Sequence, residues 1–383
     1  MKNIFVSLCI SVLLLSFGFG PIKNAKAEEV IPLDIAKQAA LNHLEQSIYA
    51  DEIDSVDDLH FKTNLYDIDE TLLGYYLTYT TREGSINHIL ISASTNLAPV
   101  LQHGEGPLDD EYEYLLEKGK KIYYLGPLQF LYGNNKDEVN EKFNKKKDEW
   151  LKDLEKQNKK DTKEYEKLRK TEIPRVKKKS KHKDEWETLL SYDPNQLTTT
   201  ATTYKVLSVT RLSQRSSGVN NPNSACGPTT AAMVANYLKS QGYNVRGLSD
   251  YSSTGAFINH MYNELGTTIA GSSISDYTYG LYKHVQHNYS TDKWDTWSYR
   301  AYGNYTHYKD NILNNKPVGL RFDLWIKEGA YENYHFVAGI GFNHGSVAEF
   351  AIKDPDGSNG GTIWLNWNDN NDDMAMGLVN YIP

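Results

Sequence analysis

Apolar positions follow a helical period near the start of the chain and alternate with polar positions afterwards. Between residues 35 and 44 the period is that of an amphipathic helix, which we predict over residues 30–48. The runs LGYYLTYTT and INHILISAS then have the composition of β-strands, with a turn at Glu83-Gly84 between them. A third short run, LAPVLQHG, follows. This order predicts a small α+β domain over residues 28–135.

The pattern changes at residue 136, where charged residues replace most apolar ones. Residues 136–187 contain 19 basic and 14 acidic side chains and a thin apolar stripe, which is typical of a solvated helix with many salt bridges. We predict that this helix covers residues 137–171 and ends at Pro174. The basic run RVKKKSKHK and the polar tract TTTATT follow, so residues 136–203 form a charged helical connector and linker. The basic run is interpreted as an exposed linker, with binding to the cell wall as the alternative.

Apolar runs of both periods return in residues 204–383. VLSVTRL predicts a strand, and helices are predicted over residues 225–238, 274–288 and 308–313. Strands are then predicted within PVGLRFDLW, HFVAGIGF, VAEFAIKD and GTIWLNW. Helices followed by antiparallel strands indicate a second α+β domain.

The first 27 residues have the pattern of a secretory signal peptide. Lys2 precedes an apolar run over residues 4–19, and Ala25-Lys26-Ala27 fits the rule for cleavage between small residues. We therefore expect secretion, to the medium or the cell wall, after cleavage at Ala27; an N-terminal membrane anchor is the alternative. No other stretch reaches the roughly 20 apolar residues that a membrane span needs, so none is expected in the mature chain.

Charge and cysteine content narrow the classes of function. The 383 residues include 41 Lys and Arg against 49 Asp and Glu, a net charge of −8, which argues against a nucleic-acid partner. Cleavage would remove Cys9 and leave Cys226, which is either a small buried apolar residue or a reactive nucleophile. The sequence has no phosphate loop, zinc spacing or dinucleotide fingerprint, so no metal or cofactor is expected.

The motif SACGPTTAAMVANYL surrounds that cysteine. Cys226 would begin a helix, with Pro228 in the first turn, where its missing N–H has no cost. The free amides and the dipole at such a position stabilise an anion, which lowers the pKa of a thiol and favours nucleophilic catalysis. We expect Cys226 to lie at an accessible helix end.

Three further residues could complete a catalytic site around Cys226. His335 stands at the head of an apolar strand and is the candidate base, although a lone strand-end histidine is common. Asp354 ends the following strand, which an antiparallel pairing would bring beside His335; Asp356 is the alternative, in a Pro-Asp-Gly turn. Gln214 could join the Cys226 backbone N–H as an oxyanion donor, or simply be a surface residue.

These residues resemble a known family. CGPTTAAMVANYL looks like the nucleophile helix of papain-like cysteine peptidases of the bacteriocin-leader-processing type, peptidase family thirty-nine, and of its soluble secreted relatives. In that family a Gln precedes Cys-Gly-Pro, a His heads an apolar strand and an Asp-Pro pair orients it; the matching positions are Gln214, Cys226, His335 and Asp354. The resemblance covers residues 204–383 and implies a papain-like domain with the cysteine helix packed on an antiparallel sheet.

We therefore expect a secreted cysteine peptidase that hydrolyses protein or peptide substrates through a Cys-His-Asp triad. Residues 28 to about 200 would be a propeptide, and part of residues 100–200 would cross the groove beside Cys226. The segment ILISASTNLAPVLQHGEG resembles the sheet of propeptides on streptopain-type peptidases. The alternatives are a peptidoglycan amidase or endopeptidase with the same Cys-His chemistry, and a non-catalytic surface-binding protein.

Overall fold

The computed structural model describes residues 30–108, 110–156, 160, 166, 169–170, 172–173, 182–193, 203–268, 271–323, 334–345, 347–357 and 360–383. The predicted signal peptide, residues 174–181 of the basic run and connector, and residues 198–202 of the polar tract lie outside the described residues. Within the described part of the chain, no helix combines the length and the apolar character that a membrane crossing requires.

The helices lie in all three predicted regions of the chain. They are α1 (Leu33–Glu45), α2 (Asp110–Glu117), α3 (Lys136–Lys156), α4 (His182–Leu190), α5 (Cys226–Ser240), α6 (Thr254–Glu264), α7 (Ile274–Gln286), α8 (Tyr305–Leu313) and α9 (Trp367–Asn370).

The strands all join one sheet. They are β1 (His60–Tyr66), β2 (Leu72–Thr80), β3 (Ile86–Ser92), β4 (Val100–Glu105), β5 (Lys121–Gly126), β6 (Gln129–Gly133), β7 (Thr203–Val206), β8 (Trp294–Arg300), β9 (Val318–Phe322), β10 (His335–His344), β11 (Ala348–Lys353), β12 (Ile363–Asn366) and β13 (Met374–Tyr381). Their order is β6-β5-β1-β2-β3-β4-β12-β11-β10-β9-β13-β8, with β7 pairing to β10. Only the β1–β5 pair is parallel among these described strands. The protein is thus a mixed α+β fold with a large sheet.

The sheet passes from the N-terminal region into the C-terminal region through β4 and β12. His103 pairs with Trp364, Gly104 pairs with Ile363, and the Glu105 N–H donates to the Thr362 carbonyl at 2.9 Å. A Cβ at Gly104 would lie 2.4 Å from the Thr362 oxygen, so this close approach requires glycine. The two predicted α+β regions therefore share one hydrogen-bonded sheet.

The connector helix α4 is docked on the N-terminal region. Trp186 is fully buried, and its indole N–H donates to the backbone oxygens of Ser94 and Leu97. Asn42 of α1 also donates to the Leu189 carbonyl at 2.8 Å. Both contacts satisfy buried polar groups, so α4 is an integral part of the fold.

Most elements of the C-terminal region agree with the apolar pattern, and one does not. VLSVTRL, residues 206–212, was expected as a strand, but β7 ends at Val206. The pattern also gave no prediction for α6, β8 or β13. After β7, the Leu207 N–H still donates to the Ile340 carbonyl at 2.8 Å, but the Val209 N–H donates to the Leu207 carbonyl, so the chain leaves the strand pairing there although both side chains remain buried.

Candidate active site

Cys226 is the first residue of α5. A short 3₁₀ turn, Pro222–Ser224, leads into it, and the N-cap residue Ala225 has no side chain that accepts from the helix amides. The N–H groups of the first turn therefore have no side-chain cap, and Pro228 has no N–H of its own that would need one. This leaves a helix N-terminus whose dipole and donors favour an anion at Cys226.

Burial of Cys226 corrects one sequence-based expectation. Its exposed fraction is 1%, so it does not lie at an accessible helix end. Burial in apolar surroundings and the helix N-terminus act on a thiol in opposite directions, because the first disfavours the thiolate and the second favours it. The chemistry of Cys226 consequently depends on its neighbours.

Close packing brings the start of α5 against the start of β10. A Cβ added to Gly227 would lie 3.0 Å from Ser272 Oγ and 3.4 Å from Phe336 Cδ2. Gly227 follows Cys226 and Phe336 follows His335, so the start of α5 packs against the start of β10 one residue away from each candidate residue. Gly271 has a φ of +84° and lies so close to the Tyr334 hydroxyl that no Cβ would fit. Both glycines thus permit tight packing around Cys226.

His335 and Asp354 form a buried hydrogen-bonded pair. His335 Nε2 lies 2.8 Å from Asp354 Oδ1, and both side chains are buried. The strand register explains the contact: Ala338 pairs with Lys353, so the next residue, Asp354, lies diagonally across from His335. An ionised carboxylate only accepts hydrogen bonds, so Nε2 carries the proton and Nδ1 keeps its lone pair. The imidazole is thereby held in one tautomer.

Backbone and arginine contacts hold Asp354 in place. Its Oδ1 also accepts from the Asp356 N–H at 2.8 Å. Arg211 Nε donates to the Asp354 carbonyl at 2.9 Å, and the same guanidinium bonds to the Gly357 carbonyl. Arg215 Nε donates to Asp356 Oδ1 at 2.8 Å. Asp356 therefore stabilises the turn, and Asp354 is the carboxylate that contacts His335.

Gln214 lies between the two halves of the candidate site. Its side-chain Nε2 donates to the Pro222 carbonyl at 2.8 Å, in the turn that precedes Cys226. Its backbone N–H donates to the Pro355 carbonyl at 2.9 Å, next to Asp354. The side chain is buried, and Oε1 has no hydrogen-bond partner among the described residues. Nε2 has a second N–H that these contacts do not use.

Comparison with protein families gives a match over the region that contains all four candidate residues. Residues 206–373 match the model of the Peptidase_C39 like family. This part of the chain is a C39-like, papain-like cysteine peptidase domain. The match confirms the resemblance drawn from the sequence and indicates a cysteine peptidase, a hydrolase whose substrates are proteins or peptides. A search of curated proteins found no match.

Arg211 and Arg215 of the C39-like domain were missed by sequence reasoning. They flank Gln214 in the sequence, and both bind the turn at residues 354–357. Two arginines four residues apart, together with an Asp-Pro-Asp segment elsewhere, were the available signal. That signal carries no information about distance, because the two segments are separated by about 140 residues.

Proposed function

We propose that Cys226 is the nucleophile, His335 the general base and Asp354 the orienting carboxylate of a peptide-bond hydrolase. The observation that carries this proposal is the buried 2.8 Å contact between His335 Nε2 and Asp354 Oδ1, next to the uncapped helix that begins at Cys226. A carboxylate there fixes the tautomer and stabilises the imidazolium that forms when the thiol loses its proton. The family match supports the class of reaction.

The chemistry follows the order of a two-step acyl transfer. His335 Nδ1 takes the proton of Cys226, and the thiolate attacks the carbonyl carbon of the scissile bond. The proton then passes to the leaving amine, which departs and leaves a thioester. Water attacks the thioester while His335 accepts its proton, and that proton returns to Cys226 as the carboxylic acid is released. No metal or cofactor takes part in this sequence.

Oxyanion stabilisation is assigned to the Cys226 backbone N–H and to Gln214 Nε2. One Gln214 N–H is held by the Pro222 carbonyl, which fixes the amide plane, and the second is available for the substrate oxygen. Two donors held rigidly before the reaction begins cost no reorganisation at the moment when charge develops.

We further propose that the peptidase is secreted and made as a zymogen, with residues 28 to about 200 as the propeptide. The near-complete burial of Cys226 supports a latent state, because a substrate cannot reach a thiol that is 1% exposed. In this proposal part of residues 100–200 covers the groove beside Cys226, and cleavage in the connector precedes activity.

The test compares hydrolysis by the wild-type protein and by Cys226→Ala after the connector is cleaved. Denatured protein and purified peptidoglycan serve as separate substrates. We expect wild type to cleave the protein and Cys226→Ala to lose all activity while it keeps the wild-type circular dichroism spectrum. Ser240→Ala, at the exposed other end of α5, is the matched control and keeps full activity.

Three results would overturn this assignment. Hydrolysis of peptidoglycan alone would favour the amidase or endopeptidase alternative. Equal activity of Cys226→Ala and wild type would exclude Cys226 as the nucleophile. No activity on either substrate, with no labelling of Cys226 by a thiol-directed probe after cleavage, would favour the non-catalytic surface-binding protein.

A further inference from the structure

Two histidines and a glutamate meet inside the protein, away from the candidate active site. His43 comes from α1, His103 from β4 and Glu349 from β11. Their exposed fractions are 6%, 1% and 3%. The first two belong to the N-terminal region and the third to the C39-like domain, so the cluster spans the place where the two halves of the sheet join.

The ligand atoms of this cluster have the spacing of a metal site. His103 Nε2 lies 2.9 Å from Glu349 Oε1, and His43 Nε2 lies 3.3 Å from the same oxygen. All three atoms lie within 4.8 Å of one another. Ligands bound tetrahedrally at about 2.0–2.1 Å are separated by roughly 3.3 Å, so both distances to Glu349 Oε1 are within a few tenths of an ångström of that spacing.

Hydrogen bonding within the protein does not satisfy every nitrogen of these groups. His43 Nε2 lies 3.3 Å from Glu349 Oε1 but not in the geometry of a hydrogen bond, and His103 Nδ1 has no hydrogen-bond partner among the described residues. Glu349 Oε2 is oriented by the Asn343 side chain at 2.9 Å. Buried polar atoms normally form hydrogen bonds, so an imidazole nitrogen that faces a carboxylate without a good hydrogen bond calls for a ligand.

We propose that His43, His103 and Glu349 bind a divalent transition metal ion, for which zinc is the probe. Two imidazoles and one carboxylate are a ligand set that zinc takes, with a water in the fourth position. On binding, the Nε2 proton that His103 donates to Glu349 moves to Nδ1, and the Nε2 lone pair goes to the metal. No redox change is involved.

A neighbouring cavity supplies both the fourth position and a path for the ion. It has a volume of about 150 Å³ and is lined by residues that include His43, Glu349 and Asn366. Asp184 and Glu185 of α4 also line it, and Asp184 is exposed. Carboxylates on the approach raise the local concentration of a cation, and a cavity of this size holds water.

A second cluster, of His182, Glu185 and Asp369, also has ligand atoms within 4.8 Å of one another, but its histidine is already paired on both sides. His182 bonds to Glu185 through Nδ1 at 2.9 Å and to Asp369 through Nε2 at 3.2 Å. Because the two carboxylates contact opposite nitrogens of one ring, one ion cannot replace both contacts. His182 is therefore a doubly paired histidine and gives a matched control.

The experiment measures zinc binding to the Cys226→Ser variant, purified without a histidine tag and stripped with a chelator. The substitution removes the thiol as a ligand, so the result is independent of the proposed peptidase chemistry. We expect calorimetry to show one zinc per chain, and a hundredfold excess of zinc over its Kd to raise Tm by about 4 °C. His43→Gln loses both effects, and His182→Gln keeps both.

If His43→Gln does not fold, the visible spectrum of cobalt bound to the wild-type protein still tests the proposal. Cobalt added to wild-type protein should give the strong visible absorption of a four-coordinate site with nitrogen and oxygen ligands. The weak spectrum of hydrated cobalt, the absence of stoichiometric zinc binding, or equal zinc binding by wild type and His43→Gln would each overturn the proposal.

Discussion

Replacing Asp354 should reduce the rate of catalysis less than replacing His335. Asparagine at 354 can still accept a hydrogen bond from His335 Nε2, but it carries no charge to stabilise the imidazolium. We expect Asp354→Asn to lower kcat by about 10- to 100-fold and His335→Ala to lower it by about 10³- to 10⁴-fold. KM should change little in either variant, because neither residue is assigned to substrate binding.

Steady-state kinetics on the connector-cleaved protein measures this difference. A circular dichroism melt for each variant is the control, since breaking a buried pair can destabilise the fold by about 3–5 kcal/mol. If Asp354→Asn lost as much activity as His335→Ala in folded protein, simple orientation by Asp354 would be the wrong description.

Gly227 gives a second test at the level of one side chain. A methyl group there would lie 3.0 Å from Ser272 Oγ, which itself contacts Thr267 Oγ1 at 2.6 Å. We expect Gly227→Ala to lower the free energy of unfolding by about 1–3 kcal/mol and to displace the start of α5. Urea unfolding measures the change.

The double variant Gly227→Ala/Ser272→Ala removes the nearest of these contacts. It should recover part of the lost stability, because the two positions are coupled through one contact. Additive losses in the double variant would show that crowding at Ser272 is not the cause.

At the level of elements, the sequence predicted helices and strands well where the capping residue or the apolar pattern lies within the element itself. A helix was predicted over residues 274–288, and at its start Ser273 Oγ accepts from the Asp276 N–H in a capping box. The apolar run after His335 predicted β10, and the short loop after His344 joins β10 to its antiparallel partner β11. Both signals lie within a few residues of the structure they predict.

Elements that depend on contacts between distant parts of the chain were not predicted, because a local sequence pattern does not contain those contacts. Residues 207–212 are buried like a strand, but Arg211 bonds to the carbonyls of Asp354 and Gly357. Strand β13 lies between β9 and β8, and its partners begin 55 or more residues earlier in the chain. No local pattern contains these pairings.

The docked helix α4 should give the protein a measurable pH dependence. Burial alone would lower the pKa of His182, but hydrogen bonds to Asp369 and Glu185 outweigh it and raise the pKa to about 9 from an ordinary 6.5. A raised pKa means that the stabilisation is complete below pH 6.5 and is lost as the pH rises through about 9.

Urea unfolding at pH 6, 7.5 and 9.5 tests this effect. The difference in stability between wild type and His182→Gln should shrink by on the order of 2 kcal/mol between the lowest and highest pH. His287→Gln, at an exposed histidine, is the control and should show a constant difference. A constant difference for His182→Gln as well would mean that His182 is neutral in the fold.

At the scale of the whole molecule, the continuous sheet is the feature that the sequence did not predict. The β4–β12 junction consists of two residue pairs, and the members of each pair are about 260 positions apart in the chain. Without this junction, β4 and β12 would each be an edge strand of its own half of the sheet. The boundaries predicted at residues 135 and 203 remain predictions about domains. What the fold adds is that the N-terminal region contributes strands and the buried His43 and His103 to the same core, and that the connector contributes the buried Trp186.

This arrangement changes what cleavage of the connector should do. Cutting near residues 174–202 leaves the β4–β12 pairing and the Glu349 cluster intact, so we expect the two fragments to stay together. Size-exclusion chromatography should give one peak that contains both fragments, and only a denaturant should separate them.

Assays before and after the cut then test latency. The zymogen proposal expects activity to rise on cleavage. If intact protein were already as active as the cleaved complex, residues 28 to about 200 would not be an inhibitory propeptide.

The most direct test of the central claim is the rate at which Cys226 is alkylated as a function of pH. The cleaved wild-type complex and its His335→Gln variant are treated with iodoacetamide, and the Cys226 peptide is quantified by mass spectrometry. An ordinary thiol has a pKa near 8.5. The account predicts rapid alkylation of wild type below pH 7 and a profile in His335→Gln that is shifted towards higher pH. It would be contradicted if both proteins reacted alike and only as the pH approached that of an ordinary thiol.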